Sequence, residues 1–292
     1  MLGSMVVDYL SHDSEFSLSA TVRSPELLAR MQKMYPQVRW HVADFRDTEG
    51  FSAFDGQEWI INAIGITKPL IHEDNAAEIL TAIEINSLLP HTAGREAQQR
   101  NARVLQIATD CVYSGAKGHY IETDVHDALD VYGKTKSLGE CFLPNTQHLR
   151  CSIIGPEPKD FKFLIEWFRR QESGATVNGF VNHHWNGVTT LHFAKLCKGI
   201  IKTDATLSHL QHVVPTGMVT KAQMLHDFAQ AYNRADITIR DTEAKTVIDR
   251  TLDTTRPDVN LALWQAAGYS TPPTVTEMIL ELGQYAYKGS HA

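Results

Sequence analysis

An α/β fold, a doubly wound parallel sheet followed by a smaller α/β lobe, is what this sequence predicts. Three observations carry that expectation. Through the first half of the chain, short β-branched runs alternate with helical stretches, the pattern of βαβ units with right-handed crossovers. After about residue 155 the pattern changes to helical stretches around fewer strands. With 292 residues, 43% apolar and 21% charged, the chain is long enough for one large domain or two coupled lobes.

The opening is unusual. Gly3-Ser4-Met5-Val6-Val7 followed by Tyr9-Leu10 has the small-then-apolar character of a helix packing on a sheet. The strand and glycine-rich turn that normally open a doubly wound domain do not precede it, so the first strand is expected to be missing. SLSATVR (17–23) reads as a strand. Ser24-Pro25-Glu26 then opens a helix with a cap, an N1 proline and a first-turn acid. VRWHVADF (38–45), EWIINAI (58–64) and ARVLQIAT (102–109) are further strands, and a long helical stretch spans roughly 74–99. LRCSII (149–154) reads as a buried strand. Beyond it, helices are expected near 160–171, 190–202, 220–232 and 274–286. Thr220-x-x-Gln223 and Thr274-x-x-Glu277 each fit a capping box. The expected division is a first domain over 1–150 and a second lobe over 151–292, closely packed and partly interleaved.

Composition narrows the function. A net charge of −7 argues against nucleic acid as a general partner. No apolar run approaches the ~20 residues of a membrane span, and MLGSMVVDYL lacks the basic region of a signal peptide. Cys111, Cys141, Cys151 and Cys197 are widely spaced with no C-x-x-C pair, which favours a reducing compartment over a disulfide framework. The chain has fourteen histidines, the densest group being His183-His184 with His192. There is no H-E-x-x-H pattern among them, and no metal site is expected.

Two segments carry the chemistry. Gln106-Ile107-Ala108-Thr109-Asp110-Cys111-Val112-Tyr113 ends a strand with a hydroxyl at its tip. In Val131-Tyr132-Gly133-Lys134-Thr135-Lys136, Tyr132 and Lys136 are four apart, a spacing that stacks both on one helix face. An ammonium beside a phenol favours the phenolate, lowering a pKa that starts near ~10, so Tyr132 is expected to move a proton near neutral pH. Arg23 ends the second expected strand, where an acidic residue would select a ribose 2′-hydroxyl; an arginine suits a 2′-phosphate.

Together with Asn62-Ala63-Ile64-Gly65 closing an earlier strand, these residues resemble the extended short-chain dehydrogenase/reductase superfamily. The longer string ATDCVYSG…YIETD…DVYGKTKSLGE is similar to its dTDP-4-dehydrorhamnose reductase branch. The resemblance runs from Gly3 to the final helix and is strongest over 58–154. It implies a Rossmann-like first domain. Thr109 would orient the substrate, Tyr132 would act as the general acid, and Lys136 would tune Tyr132 and hold the nicotinamide ribose. It also implies that Ala63 and Gly65 let backbone approach the cofactor and that Asp44-Phe45 bracket the adenine. Gly3 is the last glycine of the family's G-x-x-G-x-x-G turn, the only one present, so weak dinucleotide binding by the chain is expected. NADP is the expected cofactor, ahead of NAD. The family's substrate loops are matched loosely by NGFVNHHWNGVT (178–189), where Asn182, His183 and Trp185 are the candidate contacts.

The leading expectation is therefore an NADP-dependent reductase of a nucleotide-linked 4-keto-6-deoxy sugar. It would be cytoplasmic, in surface-polysaccharide precursor synthesis, with a homodimer as an open assembly state. Dehydration is disfavoured, because Cys111 stands where that branch places a glutamate. Two rivals remain: an epimerase-reductase using Cys111 as acid/base, and a non-catalytic sugar-nucleotide/NADP-binding or regulatory subunit like that of methionine adenosyltransferase.

Overall fold

The computed structural model describes residues 1–159 and 161–291. The chain opens in α1 (Leu2–Leu10), whose Leu2, Met5, Val6 and Leu10 are buried. β1 (Ser19–Val22) leads to α2 (Pro25–Met34), where Ser24 Oγ accepts the Leu27 N–H and Pro25 occupies the first turn, as the sequence predicts. β2 (Arg39–Val42) runs parallel to β1, and this pair stands as a separate two-stranded sheet.

The larger sheet is parallel throughout. β3 (Trp59–Asn62), β4 (Arg103–Thr109) and β5 (Thr146–Cys151) are joined at the β5 edge by β10 (Leu210–His212), giving the order β10-β5-β4-β3. All six residues of β5 are buried, as a central strand covered on both faces requires. Among the described residues no strand precedes β1, and no ladder joins β1 to β3.

The stretch expected as one long helix over 74–99 is α3 (Ala76–Ala82), a π-helical turn over Ile83–Leu88, and α4 (Leu89–Gln99). Two facts explain the wide turn. Pro90 has no N–H to give the Asn86 carbonyl. That carbonyl is also pressed against Gly139, where an added Cβ would lie 1.9 Å away. α5 (Val131–Leu138) lies against this turn: Ser87 Oγ donates to the Thr135 carbonyl at 2.8 Å, and Asn86 Nδ2 donates to Thr135 Oγ1 at 3.3 Å.

The expected strand over 149–154 breaks at Ser152, so β5 is followed by a separate short strand, β6 (Ile153–Ile154). Then come α6 (Leu164–Arg169), β7 (Thr176–Phe180), β8 (His184–Trp185), β9 (Val188–Thr189) and α7 (Thr190–Lys202). After β10 follow β11 (Val219–Thr220), α8 (Lys221–Ala231), β12 (Thr238–Thr242), α9 (Pro257–Ala266) and α10 (Val275–Gln284). Short ladders pair β6 with β9, β7 with β12 and β8 with β11. Thr274 and Glu277 form the expected capping box. At α8 only half of it forms: Thr220 caps Gln223 N–H, while the Gln223 amide turns to Asp227.

The two halves share one core. A single apolar cluster runs from Leu2 and Met5 on α1 through Leu149 and Phe193 to Trp264 and Ile279. Residues beyond 151 also return a strand, β10, to the sheet of the first half.

Candidate active site

β4 ends at Thr109, whose Oγ1 caps the following 3₁₀ turn by accepting the Cys111 N–H at 3.1 Å and donates to Asp110 at 3.2 Å. Asp130 caps α5 by accepting the Gly133 N–H at 2.8 Å, and Lys68 anchors Asp130 at 2.8 Å. Gly133 is needed where it stands. A Cβ there would lie 2.5 Å from both the Cys111 carbonyl and the Ala128 side chain. Only with glycine can α5 approach the tip of β4 this closely, and that approach sets Tyr132 beside Thr109.

Tyr132 and Thr109 share a side-chain hydrogen bond that favours the phenolate. Burial outweighs it, and with Cys111 and Asp110 nearby it pushes the phenol well above its ordinary range. The expected lowering by Lys136 is therefore not what the site shows. The physical reason is the direction of the ammonium: Lys136 Nζ donates to the Ile107 carbonyl on β4 at 3.1 Å. Burial brings Lys136 down to about 8, with Glu140 pulling the other way. The site thus holds a firmly protonated phenol one turn from an amine poised near neutrality.

Cys111 lies against this corner. Burial and the Asp110 carboxylate push its thiol up to about 12, while Arg250 acts in the opposite sense. The second half of the chain supplies two cations that sequence reasoning missed. Lys221, the first residue of α8, is brought down to about 8 by burial, with Asp110 and Cys111 drawing it back up. Its Nζ lies 5.5 Å from the centre of the Trp185 ring. Arg250 is tied by its Nε to the Tyr113 carbonyl at 2.8 Å. A lone lysine at a helix start and a lone arginine in a loop carry no spacing signal.

The remaining expected site residues are placed as follows. Trp185 is buried beside Lys221, its indole N–H donating to Ser152 Oγ at 2.8 Å. Asn182 spends both ends of its amide on the Ala244 backbone at 2.9 Å, and His183 bonds the Thr246 carbonyl at 2.8 Å. Both side chains tie loops together. Arg23 and Asp44 follow the ends of β1 and β2 within electrostatic reach of each other. Asp44 is held down at about 2 by its hydrogen bonds with Arg46. Phe45 packs on Phe51 and Phe54, with centroids 5.2 and 5.5 Å away. Gly3 faces Ala63, and a Cβ on Gly3 would meet the Ala63 methyl at 3.6 Å. A Cβ on Gly65 would lie 3.4 Å from Asn86 Oδ1. Among the described residues no three His, Cys, Asp or Glu side chains gather as a metal ligand set, and no helix is long and apolar enough to cross a membrane.

Comparison with known proteins joins this geometry to a family. Residues 26–258 match the model of the RmlD substrate binding domain. The chain belongs to that family. A curated relative, the dTDP-4-dehydrorhamnose reductase of Aggregatibacter actinomycetemcomitans, is 35% identical over 85 residues, 29% of this chain and 28% of that protein. The match thus spans little more than a quarter of the relative's length. Among solved structures, a dTDP-4-dehydrorhamnose reductase from Clostridium acetobutylicum aligns with 91% of this chain and 98% of its own, at 17% identity and a TM-score of 0.66. The Bacillus anthracis dTDP-4-dehydrorhamnose reductase, solved with NADP, aligns with 91% of this chain and 97% of its own, at 15% identity and a TM-score of 0.67. The UDP-glucuronic acid 4-epimerase of Bacillus cereus reaches a TM-score of 0.74 over 98% of this chain and 95% of its own, at 12% identity. The RmlD-family chain therefore carries the Rossmann-like α/β fold of reductases and epimerases.

Proposed function

We propose that the chain is an NADP-dependent reductase of a nucleotide-linked 4-keto-6-deoxy sugar, the class of substrate its dTDP-4-dehydrorhamnose reductase relatives are named for. The observation that carries the reading is the Thr109–Tyr132–Lys136 corner, where a protonated phenol meets a hydroxyl at the carboxyl end of a parallel strand. The described residues supply part of a dinucleotide cradle, without a strand and glycine-rich turn ahead of α1, so binding is expected to be weak. Ala63, Gly65 and Gly3 leave room for backbone approach between α1 and β3. Arg23 follows the end of β1, where it would meet a 2′-phosphate, while Arg46 is engaged by the Asp44 carboxylate. When bound, NADPH supplies hydride to the keto carbon.

The chain's own residues handle the proton. Thr109 Oγ1 orients the sugar oxygen next to Tyr132. The raised phenol pKa keeps the proton on Tyr132 until an alkoxide, a far stronger base, takes it. Lys136, whose ammonium donates to the Ile107 carbonyl, would stabilise the phenolate left behind only by turning toward it, and its own proton is available near neutral pH. Lys221 and Arg250 approach the same corner from the second half of the chain and would meet the diphosphate of a nucleotide sugar. Cys111 as a catalytic base receives less support, since a thiol pushed up to about 12 yields little thiolate.

The test is NADPH oxidation with a dTDP-4-keto-6-deoxy sugar. A positioned acid is worth ~10²–10⁴ in rate, so Tyr132→Phe should lose at least ~100-fold in kcat with unchanged thermal unfolding. A variant retaining half the rate removes Tyr132 as the acid. Nucleotide-sugar binding with no turnover by the unmutated chain would favour the non-catalytic binding role.

A further inference from the structure

Between β12 and α9 the chain has no helix and only an isolated bridge, Leu252 to Tyr120. Residues 249–255 nevertheless lie as a strap against residues 113–122 of the first half. Asp249 N–H donates to the Gly115 carbonyl at 2.8 Å, Tyr120 N–H to the Thr251 carbonyl at 2.9 Å and Asp253 N–H to the Tyr120 carbonyl at 2.8 Å. Glycine admits the strap: a Cβ on Gly118, at φ +71°, would lie 2.7 Å from Asp249 Oδ2. The strap carries Arg250. Its Nε is spent on the Tyr113 carbonyl, which leaves the two terminal nitrogens of the guanidinium for a ligand. Its charge reaches Cys111, Asp127 and Asp130, yet among the described residues it forms no ion pair.

The far end of the strap is closed by Glu122, in the YIETD stretch of the first half. Glu122 Oε1 accepts the Thr254 hydroxyl at 2.6 Å and the His212 N–H at 3.1 Å. Its Oε2 accepts the Thr255 N–H at 2.8 Å and the Thr255 hydroxyl at 3.0 Å. One carboxylate therefore ties the strap both to the first half and to β10. Burial works to raise its pKa, but the hydrogen bonds from Thr254 and Thr255 prevail and hold it at about 2. The clamp is thus charged throughout the neutral range. A guanidinium on irregular backbone loses affinity to ordering unless that backbone is already fixed. We propose that Glu122 is a positioning residue for nucleotide-sugar binding: by fixing the strap it holds Arg250 beside the Thr109–Tyr132 corner, ready for the substrate's diphosphate. The inference rests on the reading of that corner as a nucleotide-sugar site.

Calorimetric titration of dTDP, a probe that needs neither cofactor nor turnover, tests this through a double-mutant cycle. Arg250→Ala removes a charge-assisted contact and should weaken dTDP by about ten- to a hundred-fold. Glu122→Gln keeps the shape but turns an amide NH₂ toward groups that are themselves donors, so part of the clamp opens. It should weaken dTDP about tenfold in the unmutated chain and less than about twofold in the Arg250→Ala background. A merely structural loss would weaken both backgrounds alike. Thr255→Val removes one donor from the other side of the same contact; it should cost about threefold with the same dependence on Arg250, and it decides the matter if Glu122→Gln does not fold. Losses that multiply in the double variants, full affinity in Glu122→Gln, or no dTDP binding by the unmutated chain would each overturn the assignment. Coupled losses in a chain that binds dTDP but oxidises no NADPH would keep the positioning role and remove the reductase reading instead.

Discussion

The corner where α5 meets β4 and the pair β1–β2 with α2 sit at opposite ends of the dinucleotide site proposed here, and they are built in opposite ways. The corner is locked by backbone contact, with Gly133 and Gly139 leaving no space for a methyl group. Behind it lies Arg150, fully buried, ion-paired with Glu140 and donating to Tyr113 Oη at 2.6 Å, His126 Nε2 at 2.9 Å and His212 Nε2 at 3.1 Å. The other end is lightly attached. No residue of α2 is buried, and Leu27 and Val42 are substantially exposed. Such a pairing places rigidity where atoms must be held to fractions of an ångström. Compliance falls where a ligand need only be grasped.

The sharpest way to break this contrast is Gly139→Ala. A Cβ there would lie 1.9 Å from the Asn86 carbonyl oxygen, so either the π-helical turn or α5 must move. The expected loss of stability is about 3 kcal/mol or more by denaturant unfolding. A loss below ~0.5 kcal/mol would show the corner to be as compliant as the periphery.

Acid should attack the corner from behind. Burial, with the Arg150 charge adding to it, brings His212 down to about 4 and lowers His126 as well. His212 Nδ1 faces the Asp253 carbonyl at 2.8 Å, so its Nε2 is the lone pair that accepts from Arg150. Both histidines are neutral in the fold and take up protons on unfolding. Stability is therefore full above the unfolded value near ~6.5 and lost as pH falls toward 4, by about 2–3 kcal/mol from His212. Chemical denaturation across that window checks the slope, and His212→Gln should flatten it.

At the compliant end, Arg23→Ala should leave stability alone and weaken NADPH by ten- to a hundred-fold, against little change for NADH, since a charge-assisted contact contributes about 1.5–3 kcal/mol. Calorimetric titration of both cofactors decides it. Equal losses would take the 2′-phosphate away from Arg23. The smallest effect belongs to Lys221→Gln, which should raise KM for the nucleotide sugar about tenfold with kcat nearly kept. In the unmutated chain that KM should climb as pH rises past about 8, where Lys221 sheds its proton.

Much of this contrast can be read from the sequence, and the unread part has a physical pattern. Ser24-Pro25-Glu26, Thr274-x-x-Glu277 and the Tyr132/Lys136 spacing are local signals, and each appears in the structure as a cap or a shared helix face. What local pattern does not report is long-range contact. The π-helical turn accompanies contacts across the fold: its Asn86 carbonyl meets Gly139, and its Asn86 side chain reaches both α5 and the Ile66 backbone, to which it bonds twice at 2.9 Å. The break at Ser152 separates strands that belong to two different sheets. The direction of Lys136 depends on a carbonyl 29 residues away. α9 had the proline and glycine signals, Pro257 at its start and Gly268 at positive φ beyond its end, but its buried Leu263 and Trp264 face a core built mostly by other segments.

The strand β10 has a consequence for how the chain must be made. Residues 210–212 close the edge of the sheet at β5, whose every residue is buried. While a ribosome has released only the first 150 or so residues, that edge is open, its backbone groups unpaired and ready to pair with any extended neighbour. Synthesis at roughly 5–20 residues per second keeps it open for several seconds. A nascent chain of this design depends on delayed closure. Residues 1–150 produced alone should be recovered as aggregate, while adding the segment through α10, which completes the shared core, should return soluble protein.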